Sequence, residues 1–280
     1  MQQTAISSQT GFAHLTDLPC IKLQYGTASA VISLYGAQLL SYQPAPGKEL
    51  LWLSPKAQWH NQAAIRGGVP VCWPWFGPAG AVFNPTQEAL PNHGLVRNRL
   101  WQLIQQHTGA TAASVTLMTE LDKLPYYSGS VKLQLCLTLT DSLSIALSCS
   151  SPIPQQAALH SYFATADIAK VAVRPLPHSY YDKVSDSMQQ NSSKVAQITS
   201  ETDRIYPDSA AQLRVDSDNL QLALTQSGHD ATVVWNPWQA KSEAIADLAA
   251  DSYRQFICVE TARLDSAGKA LALSQQIKAL

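Results

Sequence analysis

Residues 131–149 read VKLQLCLTLTDSLSIALSC. Val131, Leu133, Leu135, Leu137 and Leu139 take every second position, with Lys132, Gln134 and Thr138 among the residues between them. Asp141–Ser142 is turn chemistry, and Leu143, Ile145, Leu147 and Cys149 then alternate with serines and one alanine. A period of two places alternate side chains on opposite faces of a strand, so two such runs around a short turn predict a β-hairpin with one buried face.

Similar patterns flank this hairpin. Upstream, Ile21–Tyr25, Ala28–Leu34, Gln38–Tyr42, Leu50–Leu53, Trp101–Gln106 and Ala113–Glu120 read as strands. Downstream, Ala158–Ala164, Val171–Leu176, Leu220–Thr225, Thr232–Trp235 and Gln255–Val259 do the same. Ser242–Ala250 is the one modest helix candidate. Residues 1–19 are polar and aperiodic and read as a leading arm, Asp186–Ser200 as an exposed connection, and Ala270–Leu280 as either a helix or a last strand. Many short strands without βα alternation predict an all-β antiparallel sandwich. The 280 residues are expected to form a single domain over 1–280.

Composition narrows the function. The net charge is −1 with 14% charged residues, which lacks the basic footprint of a nucleic-acid binder. A small anionic ligand stays open, because two or three local arginines suffice for it. Five cysteines without CxxC or Cys/His spacing suggest neither a disulfide framework nor a metal site. The opening MQQTAISSQTGFAHL has no signal-peptide pattern, and no apolar run approaches the ~20 residues needed to span a bilayer. A soluble, cytoplasmic monomer without membrane or nucleic-acid partners is expected.

The chemistry concentrates in Ile65–Trp101, IRGGVPVCWPWFGPAGAVFNPTQEALPNHGLVRNRLW. Five prolines (Pro70, Pro74, Pro78, Pro85 and Pro91) forbid a regular helix, while Trp73, Trp75 and Phe76 favour burial. Such a loop, carrying Arg66, His93, Arg97 and Arg99, can wall a polar ligand or simply cap a sheet. His160, in LHSYF, is either a core histidine or a reactive one. Glu260 follows the apolar run Phe256–Val259, where a carboxylate ends a buried strand as a general base or as a solvated terminus. No Walker A loop, GxGxxG or GxSxG is present.

The run RGGVPVCWPWFGP at 66–78 followed by HGLVRNRLW at 93–101 resembles the signature of the hexose-6-phosphate mutarotases, a branch of the aldose 1-epimerase superfamily. ALHSYF at 158–163, ETDRIY at 201–206, VVWNPW at 233–238 and FICVETA at 256–262 agree in order, so the resemblance spans roughly residues 20–265. It implies a large twisted antiparallel β-sandwich of the galactose mutarotase-like type. It also implies interconversion of sugar anomers with no metal or organic cofactor. His160 would protonate the ring oxygen and Glu260 would take the proton of the C1 hydroxyl. Arg66 and Arg97 would meet a phosphate, His93 a sugar hydroxyl, and Asp203 either sugar hydroxyls or His160. Trp235 and Trp238 could line the pocket or equally pack in the core, Arg99 reads as surface, and Lys241 lies nearby without a role. The expected partner is a small-molecule hexose phosphate, glucose 6-phosphate above all. The alternatives are a mutarotase of unphosphorylated aldoses such as galactose, or a non-catalytic carbohydrate-binding or regulatory sandwich.

Overall fold

The computed structural model describes residues 3–280. Its strands form three sheets, and every strand pairing within them is antiparallel. A nine-stranded sheet runs from Ala196–Gln197 at one edge to Gln102–Thr108 at the other. Leu143–Cys149 and Val131–Leu139 are the sixth and seventh strands along it, joined as the expected hairpin with Leu139 opposite Leu143. An eight-stranded sheet has Thr202–Pro207, Ala231–Asn236 and Phe256–Arg263 side by side. A four-stranded meander of Thr4–Phe12, Leu15–Tyr25, Ala28–Ser33 and Leu39–Gln43 completes the sandwich.

The core unites the sheets. Leu133, Leu135 and Leu137 of the large sheet share one cluster with Val234, Ile257 and Val259 of the second and with Ile21, Leu23 and Ile32 of the meander. The strand Phe256–Arg263 is buried at every position from Phe256 to Ala262. Ile257 and Val259 join this core, while Phe256 and Cys258 pack in a second cluster with Trp52, Tyr162 and Trp235 on the other face. A strand covered on both sides must be nearly all apolar. Glu260, at 1% exposure, stands in its middle rather than at its end as the sequence suggested.

Four other expectations change. The leading arm is a hairpin of Thr4–Phe12 with Leu15–Tyr25. Thr4–Phe12 is an edge strand with no fully buried residue, so no apolar alternation marks it; Met1 and Gln2 of that arm lie outside the described residues. The helix is Trp238–Ala244, earlier in the chain than Ser242–Ala250. Asn236 Oδ1 accepts the Trp238 amide (2.9 Å) at its start, and the chain is extended again by Ile245. The connection 186–200 contains the short strands Ser187–Gln190 and Ala196–Gln197. Leu50–Leu53 joins its neighbours through isolated bridges, from Leu51 to Phe163 and from Leu53 to Gly67, and through the Leu50 amide on Tyr42 O (3.0 Å), not as a ladder strand. Of the two readings left open for the C-terminal run, the strand is correct: Leu271–Ala279 pairs with Leu143–Cys149 and Gln221–Ser227.

Candidate active site

The register of the eight-stranded sheet assembles the site. Asp203 lies opposite Trp235, Trp235 opposite Cys258, and Cys258 opposite Tyr162. Val233 lies opposite Glu260. Directly opposed residues share a face, as do positions two apart along a strand. Asp203, Trp235, Tyr162 and Glu260 therefore project from one side, the side turned away from the large sheet. His160 joins them because the expected strand 158–164 is divided into Ala157–Leu159 and Tyr162–Ala164. Leu159 faces Thr261 and Tyr162 faces Cys258, so His160 falls opposite Glu260.

The His160 Nε2 and Glu260 Oε1 atoms are 3.3 Å apart. Both side chains are buried, and His160 Nδ1 and Glu260 Oε2 have no protein partner. Tyr162 stacks on the imidazole at 4.9 Å, with His93 and Trp235 against it edge-on at 5.7 and 5.9 Å. Burial, then the positive charges nearby, holds the His160 imidazolium well below the usual histidine range. Burial, reinforced by the Asp203 carboxylate, pushes the Glu260 carboxyl well above its usual range. Free histidine and glutamate differ by about 2 pH units in proton affinity. The two displacements run in opposite directions against that difference, which suits a pair that must both give and take protons.

These groups line a cavity of about 410 Å³ together with Arg66, Phe76, Asn92, His93, Lys183, Asp203, Trp235 and Lys241, within the usual size range of small-molecule sites. His93 is held by the aromatic loop in a left-handed conformation (φ 64°). Its Nδ1 accepts the Gly77 amide at 3.3 Å, and its own amide donates to Gly77 O at 2.8 Å. Burial, with the charges of Arg97, Lys183 and Arg66, lowers its pKa to about 3. A neutral ring whose Nδ1 accepts must carry its hydrogen on Nε2, so His93 offers a donor.

The arginines divide. Arg66 lines the cavity, with Nε donating to Asp247 Oδ1 (3.0 Å) and Nη1 to the Tyr162 hydroxyl (3.0 Å). Arg97 is not among the lining residues; its Nη2 donates to the carbonyl of Asn92, which is one of them (2.8 Å). Arg99 donates to Glu120 O, on the strand Ala113–Leu121, in keeping with a surface role. Asp203 meets Lys183, with Nζ 3.4 Å from Oδ2, rather than His160. Trp235 lines the cavity, whereas Trp238 packs on Tyr253. Lys241 reaches the cavity and pairs with Glu201 at 2.8 Å.

Lys183 is the site residue that sequence reasoning missed. It follows the short strand Ser179–Asp182 in no recognisable motif, and its amide bond to Asp203 O (2.8 Å) brings it to the site. Among the described residues, no group of three or more His, Cys, Asp or Glu side chains is arranged to hold a metal ion.

Comparison with known proteins agrees with this architecture. The family model described as aldose 1-epimerase matches residues 19–278. A candidate glucose-6-phosphate 1-epimerase of Escherichia coli (strain K12) is 35% identical over 253 residues, covering 89% of this chain and 84% of that protein. A second from Haemophilus influenzae is 30% identical over 273 residues, covering 94% and 93%. The crystal structure of a candidate mutarotase from Salmonella typhimurium superposes with a TM-score of 0.87 at 29% identity, over 98% of this chain and 96% of that one.

Proposed function

Because the chain belongs to the aldose 1-epimerase family, in its hexose-6-phosphate mutarotase branch, we propose that it interconverts the α and β anomers of hexose 6-phosphates, glucose 6-phosphate foremost. The observation that carries this reading is the buried His160–Glu260 pair, 3.3 Å apart, at a cavity also lined by Arg66, Lys183 and Lys241.

Ring opening needs a base at the anomeric hydroxyl and an acid at the ring oxygen. Glu260 takes the O1 proton while the His160 imidazolium gives its proton to the ring oxygen, and the bond from C1 to that oxygen breaks. The aldehyde turns about C1–C2. On closure, His160 recovers the ring-oxygen proton and Glu260 returns a proton to O1, so the pair ends as it began. Asp203 and the Nε2–H of His93 are an acceptor and a donor for sugar hydroxyls. The cations favour a substrate with an anionic end, for which a neutral sugar offers no counterpart.

The working pair carries one proton in total, so kcat/KM should trace a bell whose two limbs belong to the pair. The acid limb marks uptake of a second proton by the pair, at a pH held low by the depressed imidazole. It is expected below the ordinary histidine value of about 6.5. A pH–rate profile with that limb at or above the ordinary value would remove His160 from the pair.

The deciding experiment is NMR saturation transfer between anomers of glucose 6-phosphate, with glucose and galactose alongside. Faster exchange of the phosphorylated sugar alone is the expected result. Catalysis confined to free sugars would make the protein a mutarotase of neutral aldoses, and acceleration of none would leave a carbohydrate-binding sandwich. Arg97→Ala should raise KM for glucose 6-phosphate about threefold to tenfold, through loss of a cation near the site rather than of a direct contact, with kcat little changed. An unchanged KM would detach Arg97 from phosphate recognition.

A further inference from the structure

The last strand, Leu271–Ala279, alternates like the others, and its inward positions are Leu271, Leu273, Gln275 and Ile277. Gln275 breaks the apolar series and is fully buried between the sheets (0% exposed). A buried carboxamide is costly unless its hydrogen bonds are made. Those of Gln275 reach the two backbone segments that carry the reactive pair. Ser161 Oγ donates to Gln275 Oε1 at 2.6 Å, and Ser161 is the neighbour of His160. Gln275 Nε2 donates to Thr261 Oγ1 at 2.8 Å, and Thr261 is the neighbour of Glu260.

The local backbone explains why a side chain is needed there. Continued regularly, the ladder would set the Ser161 amide on the Val259 carbonyl. Instead, the Ser161 amide turns back to Leu159 O (3.1 Å), although Val259 N still reaches Ser161 O (3.1 Å) and the His160 amide keeps its bond to Pro70 O (3.0 Å) on the other side. The Val259 carbonyl accepts from Gln275 Nε2 at 3.3 Å. Gln275 thus fills the ladder position left by the swerve at His160–Ser161. The chain of bonds continues from Thr261 Oγ1 to Gln226 Oε1 (2.8 Å) and from Gln226 Nε2 to Thr232 Oγ1 (3.0 Å), all of it buried.

We propose that Gln275 is a positioning residue for the His160–Glu260 pair: its carboxamide bolts the His160–Ser161 segment to the Glu260–Thr261 segment in the register that holds the two side chains opposite each other. It touches no substrate and acts through Ser161, Thr261 and Val259. Its rate readout rests on the anomer-exchange reading above.

The test uses the full chain with Gln275→Leu and with the double variant Ser161→Ala/Gln275→Leu, both assayed below their unfolding transitions. Gln275→Leu should lower kcat about ten- to a hundredfold with KM within about threefold, because displacement of reacting groups by about 1 Å costs rate on that scale. Its Tm should also fall, since the Ser161 hydroxyl and the Val259 carbonyl are both left unpaired. The double variant removes that hydroxyl but not the Val259 carbonyl, so it should regain part of the Tm but little of the kcat. The ring ¹⁵N signals of His160 should move in both variants, a readout independent of any substrate. Normal kcat in folded Gln275→Leu, recovery of kcat together with Tm in the double variant, or unmoved His160 signals would make Gln275 a core filler. A wild-type protein that exchanges no sugar would overturn the proposed reaction instead. The His160 signals would still decide the role of Gln275.

Discussion

Glu260→Gln is expected to lower kcat for anomer exchange by about 10²- to 10⁴-fold, the usual worth of a positioned general base. The substitution preserves shape. Glu260 is 1% exposed and contacts His160 Nε2 through one oxygen, which the glutamine carbonyl can replace. What disappears is the capacity to take the O1 proton. Stability should hold or rise, because the amide removes an ionisable group whose charged form burial disfavours. Saturation transfer over the spontaneous background, together with a thermal melt, measures both. A variant that keeps most of its activity would take Glu260 out of the mechanism. One that is inactive only because it unfolds would fail to support the assignment, and here the isosteric change guards against that.

The second large effect is expected at Gly94, on stability. Gly94 has φ +83° and bridges to Trp73, whose carbonyl oxygen would lie 1.9 Å from an added Cβ. That carbonyl also accepts the Leu95 amide at 2.8 Å, so it cannot retreat without breaking the bridge. Gly94→Ala meets both left-handed strain and overpacking, together roughly 2–5 kcal/mol. The damage should reach the site. His93 precedes Gly94, and the fully buried Trp73 anchors the aromatic loop through a bond from Nε1 to Gln155 Oε1 (2.8 Å). Denaturant unfolding should show the loss, and exchange by the folded fraction should fall as well. Stability within 1 kcal/mol of wild type would show that the loop yields more easily than its contacts imply.

Both effects fall in motifs that the sequence displays, HGLVR and FICVETA, so these parts of the site were legible. Lys183 and Gln275 were not. Lys183 follows a short strand in no pattern, and only the pairing of its amide with Asp203 brings it to the cavity. Gln275 left a faint signal, a polar residue at an inward position of an alternating run. The run Ala270–Leu280 was ambiguous between helix and strand, so which positions face inward could not be read. Arg66 and Arg97 looked equivalent as loop arginines. The tertiary structure separates them: Arg66 lines the cavity, whereas Arg97 is bonded to the carbonyl of the lining residue Asn92.

The sequence by itself determined the antiparallel β architecture, its long hairpin and the segments that furnish the site. Period-two alternation, turn residues and a Pro-rich aromatic loop are local properties that need no partner to be read. Only the tertiary structure decided that His160 stands opposite Glu260, that Glu260 lies in mid-strand, that residues 4–12 pair as an edge strand and that Gln275 bridges the two sheets. Those facts depend on register and burial between segments as much as 114 residues apart, as for Ser161 and Gln275. The free energy of such contacts comes from desolvation and hydrogen bonding across the core, and no stretch of chain carries it alone.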